Sequence, residues 1–220
     1  MRKYTHVIWD WNGTLLDDVA WCMTSINVML KKRGLPTLDS VDAYHRVFGF
    51  PVIDYYRRIG FDFEKEPFEK LAVEYIELYH DNKSDASLFP EAKGILADFQ
   101  NRGIHQIILS ASEIKNLSSQ MRPFEIDSFF DEVLGISDIF ATSKIDLGKV
   151  YIKRTQPKRA LLIGDTIHDK EVADTLGVEC ILVANGHQSK NTLLSVNAVV
   201  VDSLADVKKY MGLGGCSEWM

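Results

Sequence analysis

Thr5-His6-Val7-Ile8-Trp9-Asp10-Trp11-Asn12-Gly13-Thr14-Leu15-Leu16-Asp17 is the stretch that decides how this chain folds. It opens as a short apolar run rich in β-formers, the pattern of a buried strand. The run stops at a carboxylate, Asp10, and the turn signal Asn12-Gly13 follows at once. Such a strand delivers Asp10 to the carboxyl edge of a sheet, where open α/β sheets bind their ligands. Taken alone, an Asp in that place is more often a turn or cap residue. Its meaning depends on what the rest of the chain brings to the same edge.

Beyond Asp17 the pattern turns helical. Val19, Met23, Ile26 and Leu30 fall on one helix face, and Gly34 with Pro36 suits the end of that helix. Three more helices are expected: one capped by Asp39 and running to Val47, one opened by Pro51 and closed at Gly60, and one opened by Pro67. The last carries Phe68, Leu71, Ala72, Tyr75, Ile76 and Tyr79 on one side. No strand is expected between 17 and 87, and 82–87 reads as a linker. From Leu88 helices (90–102, 113–121, 146–154, 168–176, 203–211) alternate with strands (104–109, 133–136, 160–163, 180–184, 198–201). Strands that are apolar throughout and alternate with helices imply a parallel sheet covered on both faces. The expected architecture is α/β, a Rossmann-like parallel sheet core over 1–16 and 88–212. A helical cap domain is inserted over 17–87, and 213–220 forms a flexible tail.

With 220 residues, 46% of them hydrophobic, the chain suits one core with a modest insertion. A net charge of −6 without any Lys/Arg block offers no footprint for nucleic acid. Cys22, Cys180 and Cys216 lack metal or redox spacing, and an odd number of cysteines argues against a disulfide framework. No apolar stretch is long enough for a membrane helix. A cytoplasmic protein is expected, a monomer or weak dimer with no nucleic-acid or membrane partner.

Further polar residues follow apolar strands directly. The strand Ile107-Ile108-Leu109 ends in Ser110, and Leu161-Leu162-Ile163 ends in Gly164-Asp165, with Asp169 four residues on. Each alone would be a cap or turn residue. Together with Asp10 they share one edge of a parallel sheet, and Asp10, Asp165 and Asp169 repel one another unless a cation joins them. Carboxylates in an all-oxygen setting favour a hard cation, Mg²⁺ first. A lysine would balance a bound anion, and the set suits phosphoryl transfer, in which the protein supplies positioning and positive charge.

Asp10-Trp11-Asn12-Gly13-Thr14-Leu15 resembles the first motif of the haloacid dehalogenase superfamily of phosphatases, Asp-x-Asp-Gly-Thr-Leu. Ser110 is similar to the second motif, and Gly164-Asp165-Thr166-Ile167-His168-Asp169 to the fourth, Gly-Asp-x-x-x-Asp. Lys144 is preferred to Lys149 as the third-motif lysine, since it lies in a loop ahead of a helix and Lys149 falls inside that helix. The insert resembles the cap of phosphoglycolate phosphatases. The resemblance implies that Asp10 is a nucleophile forming an aspartyl-phosphate. Mg²⁺ would then be held by Asp10, the main-chain carbonyl of Asn12 and Asp165, with Asp169 orienting metal-bound water. Ser110 and Lys144 would contact the phosphoryl group, completing the catalytic set, and Trp11, Asn12, Gly13 and Ala111 would line the phosphate cradle. The expected substrate is a small phosphorylated metabolite.

Asn12 departs from the motif. In the family's phosphatases the residue there is the general acid/base, and an amide cannot serve. The loss should fall on the proton transfers, roughly 10²–10⁴ in rate or about 3–5 kcal/mol, so Asn12→Asp is expected to raise turnover of alkyl phosphates. Three accounts follow. The acid/base comes from elsewhere, with His168 a candidate; or the substrates have good leaving groups, such as acyl or aryl phosphates; or the protein is a weak or inactive binder of a phosphorylated ligand. A two-component receiver domain would be half this length, and a dehalogenase would not need the fourth-motif acids. Arg46 is a candidate contact for a second anionic group, with a surface role preferred.

Overall fold

The computed structural model describes residues 4–81, 87–137 and 143–212. In chain order its elements are β1 (His6–Trp9), β2 (Leu16–Asp17), α1 (Val19–Lys32), α2 (Val41–Val47), α3 (Val52–Arg58), α4 (Phe68–Asp81), β3 (Ser87–Leu88), α5 (Ala92–Asn101), β4 (His105–Glu113), α6 (Ile114–Met121), β5 (Glu132–Ile136), α7 (Lys144–Thr155), β6 (Ala160–Gly164), α8 (Ile167–Leu176), β7 (Glu179–Val183), α9 (Lys190–Leu193), β8 (Val199–Val201) and α10 (Leu204–Tyr210).

Six strands form one sheet in the order β5-β4-β1-β6-β7-β8, and every neighbouring pair is parallel. β1 sits inside the sheet between β4 and β6. The chain leaves β1 for β4 and β5 on one side and later for β6, β7 and β8 on the other, so strand order reverses beside β1. That is where a doubly wound sheet opens a ligand crevice. Side chains alternate across the pleat. Val7 and Trp9 pack on one face with Ile95, Leu96 and Phe99 of α5, Leu117 and Met121 of α6, and Leu204 and Val207 of α10. Ile8 packs on the other face with Tyr151 of α7 and Val172, Ala173 and Leu176 of α8.

The four helices α1 to α4 have a core of their own, built on Val19, Ile26, Met29, Leu30, Tyr44, Tyr55, Tyr56, Ile59 and Leu71. The expected face of α1 is the buried one, although Met23 is only half covered. Ser40, not Asp39, caps α2, its side chain accepting from the Ala43 N–H.

Three expectations about elements are corrected. The region around 17–87 is not free of strands, because β2 and β3 pair as a short antiparallel ribbon where the chain leaves and re-enters the sheet layer. Two residues per strand are too few to show a period. The second strand does not stop at Ser110 but runs on to Glu113. Its register with β5 shifts between Leu109 and Glu113, so Ser110-Ala111-Ser112 form a bulge. Gly135 makes room for that bulge, since a Cβ there would lie 2.8 Å from the Ser112 carbonyl oxygen. Finally, α7 begins at Lys144 rather than Asp146: Ser143 caps it by accepting from the Asp146 N–H. The tail over 213–220, with Cys216 and Trp219, lies outside the described residues, as does most of the expected linker.

Candidate active site

Asp10 follows β1, its N–H extending the ladder to the Ile163 carbonyl at 2.9 Å. Asp165 follows β6, and Asp169 stands in the first turn of α8. Lys144, the first residue of α7, reaches across to them. Its Nζ lies 2.5 Å from Asp10 Oδ1 and 2.6 Å from Asp169 Oδ1, and all three residues are buried. Asp169 has a second task as part of a capping box, its Oδ2 accepting from the N–H and hydroxyl of Thr166. Thr14 Oγ1 stands 3.3 Å from Asp10 Oδ2 and 3.2 Å from Asp165 Oδ1.

Carboxylate oxygens of Asp10, Asp165 and Asp169 lie within 4.8 Å of one another. Three buried carboxylates thus face one buried ammonium. Burial works against the Lys144 charge, but Asp10 and Asp169 outweigh it and hold the lysine above its ordinary pKa. Asp169 lies below the carboxylate range, because Lys144 and the Thr166 donors overcome its burial. Burial raises Asp10 to about 6 despite Lys144, and raises Asp165 to about 8, opposed by His187 and reinforced by Asp10 and Asp169. The negative charge left over is what a hard divalent cation would neutralise, and every side-chain donor in the cluster is an oxygen. The residues present fit Mg²⁺.

The turn around Asp10 is tightly enclosed. Gly13 has φ +72°, and a Cβ there would lie 2.3 Å from Asp165 Oδ2. Gly186 is as constrained: its Cβ would meet Asp165 Oδ2 at 2.1 Å and the Gly13 carbonyl oxygen at 2.4 Å. Trp11 is fully buried, its indole N–H donating to Gln120 Oε1 at 2.7 Å, and its main-chain N–H bonds the Asp10 carboxylate. Ser110 is buried, and its Oγ accepts from the Ser112 N–H at 3.0 Å, inside the bulge. Ala111 is exposed beside it. Asp10, Ser110, Ala111, Lys144, Asp165 and Asp169 all line one cavity of ≈ 290 Å³. Lys149 is exposed on α7 and outside that cavity.

Asn12 is bonded through all its side-chain polar groups. Its Nδ2 donates to Asp18 Oδ2 at 2.8 Å and to Tyr79 Oη at 2.9 Å, and its Oδ1 accepts from Ser112 Oγ at 2.9 Å. Asp18 sits at the N-cap of α1 without making a cap bond there. Its fully buried carboxylate turns inward to accept from Asn12, the Gly13 N–H and Tyr79 Oη, and pairs with His187 Nε2 at 3.2 Å. His187 is buried as well. Its main-chain N–H donates to Asp165 Oδ2 at 2.6 Å, and its ring Nδ1 meets Tyr44 Oη at 2.8 Å. Burial opposes the imidazolium, but the Asp18 carboxylate dominates and raises His187 to about 9. The same pairing keeps Asp18 low in spite of its burial. Cys22 approaches as well, so Asp18, Cys22 and His187 form a second convergent group. Donors already saturate the Asp18 carboxylate, and the group reads as a hydrogen-bonded hub.

Asp18, His187 and Gly186 had no place in the sequence-based site. His187 follows β7 through Ala184-Asn185-Gly186, a short turn after an apolar parallel strand. The reasoning that singled out Ser110 applies there equally. His168, a candidate acid/base, lines the same cavity, where it stacks on Phe50 with centroids 4.7 Å apart and pairs with Glu171. Arg46 is exposed and lies outside the cavity lining. Among the described residues no helix is long and apolar enough to cross a membrane.

The sequence model of the Haloacid dehalogenase-like hydrolase family matches residues 7–183. The tyrosine-protein kinase PtkA of Mycobacterium tuberculosis is 26% identical over 205 residues, covering 91% of this chain and 69% of the relative. A phosphoglycolate phosphatase of Caulobacter vibrioides is 25% identical over 218 residues, covering 92% and 89% of the two chains. A solved structure of a haloacid dehalogenase-like hydrolase from Streptococcus pneumoniae superposes with a TM-score of 0.81 at 22% identity, over 94% of this chain and 98% of that one. The solved structure of PtkA gives the same TM-score of 0.81 at 22% identity, over 98% and 100%.

Proposed function

We propose, from the premise that this chain belongs to the haloacid dehalogenase-like hydrolases, that it is a Mg²⁺-dependent phosphatase of small phosphomonoesters working through Asp10. The observation that carries the reading is the convergence of Asp10, Asp165 and Asp169 on the single ammonium of Lys144. Asp10, the main-chain carbonyl of Asn12 and Asp165 would hold the cation, and Asp169 would orient its water. When bound, Mg²⁺ offsets charge on the phosphoryl oxygens.

The chain's own residues account for the rest. Lys144 keeps Asp10 ionised and aligned. An Asp10 oxygen attacks phosphorus, forming the aspartyl-phosphate as the ester P–O bond breaks, which divides one hard displacement into two. Ser110 donates to a phosphoryl oxygen from the bulge, with Gly13 and the Trp11 turn allowing close approach. Water then attacks that phosphorus, its protons staying on the released phosphate or passing to solvent, and Asp10 leaves as a carboxylate when its bond to phosphorus breaks. One lysine and a cavity of ≈ 290 Å³ suit one phosphate better than the several charges of a nucleotide, so hydrolysis is preferred to a kinase reaction.

Asn12 favours a second reading, a weakly active or inactive protein that binds a phosphorylated ligand. One assay separates the two: phosphate release from p-nitrophenyl phosphate with and without Mg²⁺, run on the parent and on Asp10→Asn. The phosphatase reading expects release that needs Mg²⁺ and is lost in Asp10→Asn. Tight binding of phosphate without turnover would favour the second.

A further inference from the structure

We propose that the ester removed here is aryl: the enzyme takes phosphate monoesters of phenols and discriminates against substrates carrying a second anionic group. The inference rests on the phosphatase reading above and names its substrate class.

Two independent observations lead to it. The first is the lining of the cavity over Asp10. On the helical side it is formed by Tyr44, Phe48, Tyr55, Tyr56, Phe68 and Tyr75. Among the described residues Lys144 is the single lysine or arginine in the lining, and Asp10 and Asp169 already engage it. Of the histidines there, His187 is paired with Asp18, His168 with Glu171, and His80 is bonded through Nε2 to Asn116 Oδ1 at 2.8 Å. Glu113 adds negative charge to the same wall. A carboxylate on the leaving group, as in phosphoglycolate, would enter this cavity with no free lysine or arginine to meet it; the unpartnered Tyr55 hydroxyl and His80 Nδ1 offer it hydrogen bonds but no fixed countercharge. A phenyl ring instead meets aromatic faces and edges, which attract it in offset or T-shaped contact. The space of ≈ 290 Å³ is at the small end for ligand pockets and suits one ring with its phosphate.

The second observation is the chemistry of position 12. Both amide hydrogens of Asn12 are committed, to Asp18 and to Tyr79, so nothing at that position supplies a proton as the ester bond breaks. An alkoxide leaving group, with a conjugate acid near water's pKa of about 15.7, needs that proton. A phenolate, with a conjugate acid near about 10, departs without it and takes its proton from solvent afterwards. The wall selects for an aromatic ester and the missing acid tolerates one.

The test is steady-state phosphate release by the full chain with Mg²⁺ from phenyl phosphate, phosphoglycolate and acetyl phosphate. Acetyl phosphate has a good leaving group but no ring. The expected result is kcat/KM for phenyl phosphate at least 100-fold above phosphoglycolate. Phe48→Ala should raise KM for phenyl phosphate at least fivefold and lower the preference for phenyl over acetyl phosphate. Across ring-substituted phenyl phosphates, kcat/KM should fall steeply as leaving-group pKa rises. Phosphoglycolate turned over as well as phenyl phosphate, or a flat leaving-group dependence, overturns the proposal and leaves the phosphatase intact. No release from any of the three, acetyl phosphate included, overturns the phosphatase reading itself.

Discussion

Asn12→Asp is the substitution on which sequence and structure disagree most sharply. By motif alone it restores a missing acid/base and should speed turnover of alkyl phosphates. In the structure it sets a carboxylate oxygen where an amide nitrogen now stands, 2.8 Å from Asp18 Oδ2 and 2.9 Å from Tyr79 Oη. Tyr79 has one hydroxyl hydrogen, already given to Asp18 at 2.7 Å. The change therefore removes a charge-assisted hydrogen bond, worth about 1.5–3 kcal/mol, and a neutral one worth about 1 kcal/mol. Two carboxylates at that separation share a proton, as in an aspartic dyad, and the shared proton recovers part of the loss. The net expectation at pH 7 is about 2–3 kcal/mol of destabilisation, or about 4–12 °C in Tm for a chain of this size. The introduced carboxyl has a folded pKa above its unfolded value. The folded state then binds the extra proton, and stability relative to the parent falls as pH rises from about 4. Turnover of alkyl phosphates stays at or below the parent's. The double variant Asn12→Asp/Asp18→Asn restores a donor opposite the new carboxylate, and should recover at least half of the lost Tm and exceed the single variant's alkyl phosphate turnover tenfold. Thermal melts at pH 6 and 8 with a phosphate-release assay check both parts. An Asn12→Asp protein that melts within about 1 °C of the parent at pH 8 and gains turnover would refute the coupling to Asp18.

Gly186→Ala should lower Tm by about 3–10 °C, since the new Cβ would lie 2.1 Å from Asp165 Oδ2 and overpacking a tight site costs about 1–3 kcal/mol. Gly94→Ala is the contrasting case: in α5 with nothing within 4 Å of the added Cβ, it should gain about 0.5–1 kcal/mol in urea unfolding. Saturating Mg²⁺, at about 100 times its Kd, should raise stability by about 2.7 kcal/mol, and Asp165→Asn should abolish that rise in a thermal-shift assay. His187→Gln leaves the Asp18 carboxylate buried without its cation and should cost about 3–5 kcal/mol; Asp18→Asn in the same chain should return part of it.

The strand edges were legible because apolar runs and the residues that end them lie next to each other in sequence. Asp10, Asp165 and Asp169 could be placed from local pattern, and the structure brings them within 4.8 Å. Lys144 is legible as the lysine that meets the edge carboxylates, but it opens α7 rather than lying in a loop, because Ser143 caps that helix. The bulge at Ser110-Ala111-Ser112 was not legible, because it depends on a neighbouring strand having Gly135 opposite it. Asp18 illustrates a different limit. An Asp opening a helix reads as a cap, and only tertiary packing shows that its carboxylate turns away from the helix toward Gly13, Asn12 and His187.

That packing changes what the departure at position 12 means. A lost acid would leave an amide with idle donors in a buried turn, at a cost of about 1–3 kcal/mol for each unmatched group. Here both hydrogens and the oxygen of the Asn12 amide have partners within 2.9 Å. Its strongest acceptor, Asp18, has its own counter-ion in His187. A carboxylate therefore does stand beside the turn, six residues beyond the expected position, but as a fixed acceptor held ionised by its neighbours. On the phosphatase reading proposed above, the hydrogen-bonded turn serves as the phosphate cradle while placing no transferable proton at position 12. Proton demand then falls on the leaving group itself, and the aromatic wall facing Asp10 is where that demand is smallest.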